Sequence, residues 1–247
     1  MDNFIYASTI QSQLQAIVNE IFGGNMKKLI FGTIFGCIGS FSYADSFQEF
    51  NNNIYAQYNY LAPNEGTYPS YNQWGVGGTV QTKNDIWLNA NAISGTNKNA
   101  DVLSNFGIKG GYAFQFFQND SNGFQLIPYI GLSMQQGGGP QGNGTQYQYA
   151  LGIKPEYRLL DSLKLALDMN IYGIQTGVTT TSNVGGSSAT TDGQNFAYAI
   201  TPEIQYDISK TVLLGAGYSY TNSFNSQGTV GGGDGNSSIN VRVGYLF

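Results

Sequence analysis

Lys109, Lys154, Glu156, Arg158, Lys164, Asp168, Glu203 and Arg242 are the residues of this sequence whose types and placement suit chemistry. Five are cations and three are anions, and each falls on the less apolar side of a segment that alternates apolar and polar residues. A charge held away from water without a partner is very costly, so such a set must pair. The expected pairs join Glu156, Asp168 and Glu203 to Lys109, Lys154, Lys164, Arg158 and Arg242. The same groups admit two readings: a structural plug of salt bridges, or the lining of a narrow polar path.

Catalysis finds few residues to use. The sequence has no histidine and one cysteine, Cys37. Neither a Ser-His nor an Asp-His arrangement can be assembled, and metal clusters lack their His and Cys ligands. Asp120-Ser121-Asn122-Gly123 has no downstream calcium ligands and reads as a turn. Gly137-Gly138-Gly139 and Gly231-Gly232-Gly233 lack the strand-to-helix context of a phosphate cradle and read as loop tips. No catalytic, cofactor-binding or metal-binding residue is assigned, and the chain is not expected to be an enzyme. The net charge is −5 and no basic run extends beyond Lys27-Lys28. That sets nucleic-acid binding aside.

The elements that must carry the charges are strands. From residue 54 onward the period is two, in runs at 54–61, 71–81, 84–94, 104–117, 123–136, 145–159, 162–175, 194–207, 210–222 and 237–247. Most are 11 to 15 residues long. Ordinary strands average about five or six, whereas a tilted strand needs about 9–11 to cross a bilayer core. In the run from Tyr147 to Leu159 the odd positions are all apolar or aromatic, and the even ones include Gln148, Lys154, Glu156 and Arg158. Tight connections near 82–83, 118–122, 161 and 208–209 alternate with Gly/Asn/Ser/Thr-rich stretches at 62–70, 95–103, 137–144, 176–193 and 223–236. Short turns at one end and long loops at the other fit the two ends of a membrane barrel. The predicted fold is all-β: a transmembrane antiparallel up-and-down barrel over 54–247, of about ten strands with eight as the alternative.

Composition sets the polarity. Only 10% of residues are charged while 41% are hydrophobic, too few charges for an ordinary water-facing surface. The apolar strand faces carry no charge at all, and a lysine or arginine there would cost roughly 2–4 kcal/mol at the bilayer midplane. The apolar faces are therefore assigned to lipid and the charged faces to the lumen. Pro128, Pro155 and Pro202 fall inside runs, where each removes a ladder donor.

The N-terminal region has a different character. Met26-Lys27-Lys28, the apolar Leu29–Phe41 and Ser42-Tyr43-Ala44 form a signal peptide over 26–44, with cleavage predicted between Ala44 and Asp45. Residues 45–53 read as a periplasmic arm. Residues 1–25 read as an extension upstream of a true start at Met26, or as an amphipathic helix with Ile10, Leu14, Ile17 and Ile21 on one face.

On these patterns, and on the ending Val241, Val243, Tyr245 and Phe247, the chain resembles the small outer-membrane β-barrels of Gram-negative bacteria over about residues 45–247. That group includes the opacity-type proteins and the barrel of outer membrane protein A. The resemblance implies a bacterial outer-membrane location among lipid and lipopolysaccharide. It also implies that the last four alternating residues form the assembly signal shown to the barrel-insertion machinery, since an unpaired last strand can add to a sheet edge. The expected role is structural or surface-interacting, through extracellular loops that meet a host or cell-surface ligand, with a mostly plugged lumen. The alternative is a small, weakly selective channel for polar solutes.

Overall fold

The computed structural model describes residues 46–64, 69–118, 122–139, 142–177, 194–224 and 235–247. All of them lie in one compact unit, Tyr43–Phe247. The proposed extension, signal peptide and Ala44-Asp45 cleavage point lie outside the described residues, as do Asp120 and Gly231-Gly232-Gly233.

A short helix, Ser46–Asn51, precedes the strands. The strands are β1 (Asn53–Pro63), β2 (Tyr71–Gln81), β3 (Ile86–Asn97), β4 (Val102–Tyr112), β5 (Phe114–Gln118), β6 (Gly123–Gly139), β7 (Gly142–Leu160), β8 (Leu163–Gly177), β9 (Gln194–Asp207), β10 (Val212–Ser223) and β11 (Asn236–Leu246). Chain neighbours pair antiparallel except β4 and β5, which both pair with β6 and not with each other, and β1 pairs with β11. β4 and β5 are thus two segments of one barrel strand, interrupted at Ala113. The result is a closed barrel of ten strands.

Burial follows the inside-out pattern. Along β7, Tyr147, Leu151 and Ile153 are 56%, 70% and 43% exposed, while Lys154, Glu156 and Arg158 are buried. Along β11, Ile239, Val241, Val243 and Tyr245 face outward and Leu246 is buried. Aromatic pairs ring both ends of the outer face. Tyr58 and Trp74 sit 4.9 Å apart at the long-loop end, and Phe116 and Phe124 sit 5.5 Å apart at the short-turn end. Such girdles mark membrane–water interfaces.

The three prolines are absorbed without a change of register. Ile153 pairs with Met169 and Glu156 with Ala166, so the β7–β8 ladder lapses at Lys154-Pro155 and resumes in step. The β9–β10 ladder lapses at Thr201-Pro202 in the same way. Opposite Pro128 the lapse is the break between β4 and β5, where the Ala113 amide donates instead to the Asp85 carbonyl at 2.8 Å. Each proline disturbs one neighbour only, and the ladder with the other neighbour continues.

Two connections expected as long loops are tighter than their composition implies. β3 runs to Asn97 and β4 begins at Val102, so 95–103 reduces to a turn at 98–101. Asn97 closes it by accepting from the Asn99 and Asp101 amides and donating to the Asp101 carboxylate. Gly137, Gly138 and Gly139 are not a loop tip; they pair with Gly144, Asn143 and Gly142. Residues without side chains give no alternation signal, but their backbones still join a ladder.

Candidate functional site: the barrel lumen

The short-turn end of the lumen is closed by the helix. The segment read as an arm enters the barrel: Phe47 and Phe50 are fully buried and Asn51 is 1% exposed. Ser46-Phe47-Gln48-Glu49 has the S-x-x-E spacing of a capping box. Phe47 and Phe50, three residues apart, share a face of the turn. Burying two phenylalanines supplies the drive for docking, at about 1.5–3 kcal/mol each.

The polar side of the helix meets a layer of strand side chains. Glu156 is fully buried at the centre of that layer. Its Oε2 accepts from Asn51 Nδ2 at 2.9 Å and Gln125 Nε2 at 2.7 Å. Its Oε1 accepts from Lys164 Nζ at 3.2 Å and lies 3.4 Å from Lys154 Nζ. Lys164 also donates to Asn51 Oδ1, and Asn51 Nδ2 donates to Gln81 Oε1 at 2.8 Å. Gln205 Nε2 binds the Phe50 carbonyl at 3.0 Å, and the Gln81 amide binds Asn52 Oδ1 at 2.8 Å. A buried carboxylate with four donors is satisfied, and both lysines share its charge.

A mixed layer lies above this floor. Glu203 is 2.9 Å from Lys154 Nζ and 3.5 Å from Arg242 Nη2. Lys109 Nζ reaches Asp168 Oδ2 at 2.6 Å, and the Tyr129 hydroxyl donates to Asp168 Oδ1. Lys154 stands over the Trp87 ring at 5.7 Å. Trp87, Ala113, Ile127 and Tyr129 form a buried apolar cluster inside the barrel. The Tyr129 ring lies over Gly152, its ladder partner on β7, and a Cβ at Gly152 would stand 2.4 Å from it. Only a glycine admits that approach.

Seven of the eight charges assigned from the sequence share this network. Arg158 is the exception: its ion pair is with Asp161, at 3.6 Å on the rim, rather than with Glu156, Asp168 or Glu203. Asp161 is only three residues on and lies in the tight turn, so it reaches back before a more distant carboxylate can. The interior is also less polar than its strand pattern suggested, because Trp87, Ile127, Tyr129 and Leu213 point inward. The register holds the signal: Trp87 alternates with Ile86 and Leu88, which face lipid.

Beyond the mixed layer is a cavity of about 230 Å³. Gln57, Asn89, Asn91 and Asn240 line it together with Tyr55 and Arg242. Val241, Val243 and Tyr245 stand on the outer face of β11, and the Phe247 amide donates to the Asn52 carbonyl at 3.0 Å. Among the described residues no group of three His, Cys, Asp or Glu is placed to hold a metal ion.

No protein-family model matches the sequence, and no curated protein matches it in sequence. Similarity is found at the level of solved structures, which are outer-membrane β-barrels. The NanC porin shares 10% identity at a TM-score of 0.40, covering 78% of this chain and 100% of that one. Ail, the attachment invasion locus protein of Yersinia pestis, shares 13% at 0.38, covering 80% and 97%. The transport unit of the autotransporter AIDA-I from Escherichia coli shares 11% at 0.49, covering 89% and 97%.

Proposed function

We propose that this protein is a structural or surface-interacting barrel of the bacterial outer membrane whose lumen does not conduct. The observation that carries this reading is the helix at the short-turn end, with Phe47 and Phe50 fully buried and Asn51 bonded to Glu156 and Gln81. The outward Leu, Ile and Val side chains between two aromatic girdles support residence in lipid, with lipopolysaccharide as the outer-leaflet neighbour. The functional surface is then the long-loop end, where a host or cell-surface ligand is met. Val241, Val243, Tyr245 and Phe247 serve the barrel-insertion machinery during assembly.

A planar-bilayer recording tests the plug. The native protein is expected to give no unitary steps, and the Phe47→Ala/Phe50→Ala double variant is expected to give small, flickering ones. Reproducible steps from native protein would overturn the reading. They would favour the second one, a small weakly selective channel, for which the polar cavity above the floor is the supporting observation.

A further inference from the structure

We propose that the lumen cavity binds one small hydroxy-carboxylate, with the Arg242 guanidinium receiving the carboxylate and the surrounding amides the hydroxyls. The site goes beyond the plugged-barrel reading, and its test uses no conductance measurement, so either can fail alone.

Charge selects the sign of the ligand. The cavity is lined by three cations, Lys109, Lys154 and Arg242, and two anions, Asp168 and Glu203. The floor adds Lys164 and Glu156, one of each sign, so one positive charge is left over among the seven. The cations are unequally used. Lys109 is bound to Asp168 at 2.6 Å, and Lys154 is shared between Glu203 at 2.9 Å and Glu156 at 3.4 Å. Arg242 has five N–H donors, yet its one hydrogen bond is a 3.5 Å contact from Nη2 to a carboxylate that Lys154 already holds more closely. Its Nε is buried without a partner. A planar guanidinium left in this state matches a carboxylate, which it can bind in bidentate fashion.

Neutral donors and acceptors select the rest. Gln57, Asn91 and Asn240 line the same space and make no side-chain hydrogen bond to another described residue. The floor amides Asn51, Gln81 and Gln125 are all bonded. Unengaged amides beside an under-used guanidinium offer hydroxyls both donors and acceptors. Tyr55, whose ring lies 5.5 Å from the guanidinium carbon, supplies an apolar flank. Size admits such a ligand: 230 Å³ exceeds the roughly 150 Å³ of a cavity that holds benzene, so a three-carbon hydroxy-acid has room. Glycerate meets all three demands, and glycerol is its uncharged counterpart.

The two tryptophans make the test direct. Trp74 is 62% exposed on the outer face, while Trp87 is 2% exposed beneath the cavity. In the folded Trp74→Phe variant in detergent micelles, sodium glycerate at constant ionic strength is expected to shift Trp87 emission saturably, and glycerol is not. Arg242→Gln should weaken the response about tenfold or more, the worth of a charged hydrogen bond. Asn240→Asp, which leaves the Glu203 contacts in place and gives Arg242 an internal carboxylate, should weaken it similarly. Absence of saturation with glycerate, an equal response to glycerol, or unchanged glycerate affinity in the folded Asn240→Asp protein would each overturn the proposal.

Discussion

At the floor of the lumen Asn51, Gln81 and Gln125 bind one another or Glu156; in the cavity above, the side chains of Gln57, Asn91 and Asn240 make no hydrogen bond to another described residue. The two levels use the same residue types on the same ten strands. They differ in that a segment from outside the sheet enters the lower one. The helix brings Asn51 to within bonding distance of two facing walls, Gln81 on β2 and Glu156 on β7. Where no such segment enters, the charged pairs Lys109–Asp168 and Arg242–Glu203 still meet, while the three cavity amides do not. Completeness of hydrogen bonding in this barrel is set by what fills the tube as well as by the strands.

Substitutions along the lumen sharpen that contrast. Glu156→Ala should have the largest effect, since it strands Lys154 and Lys164 in a buried layer. A loss of about 3–5 kcal/mol is expected, read from urea unfolding in lipid vesicles, with Glu156→Gln losing less. Gly152→Ala tests the boundary between the levels. Its methyl would meet the Tyr129 ring, and overpacking of this kind costs about 1–3 kcal/mol. The smallest effect belongs to the upper level. Asn59→Ala removes one hydrogen bond to Gln73, worth about 0.5–1.5 kcal/mol. Equal losses at Glu156 and Asn59 would break the comparison.

The sequence was legible where side chains alternate. The runs 71–81 and 194–207 match β2 and β9 at both ends; in β9, Phe196, Tyr198, Ile200, Ile204 and Tyr206 on one face oppose Thr201, Glu203 and Gln205 on the other, which leaves a single register. Legibility failed where that contrast is absent. Gly137–Gly139 carry no side chains, so their pairing with Gly142–Gly144 left no trace. The break at Ala113 was invisible because strand composition continues on both sides of it. The plug helix was missed because six residues are too few to display helical periodicity; its S-x-x-E start was the signal available. Charge on the inner face was readable, but partner choice was not. Arg158 could be placed inside, and its pairing with Asp161 became apparent only with the turn at 161–162 in view.

The ladder between β1 and β11 runs from Asn53–Leu246 to Pro63–Asn236, and it has a consequence for how the protein comes into being. Before these outermost strands meet, the sheet has two raw margins, and hydrocarbon tolerates bare peptide groups at a penalty of several kcal/mol each. A half-made cylinder therefore cannot rest in the bilayer. The helix is tethered to β1 by Asn52 alone, and the Asn52 carbonyl accepts from the Phe247 amide at the end of the chain, so the stopper and the seam share one hinge of backbone.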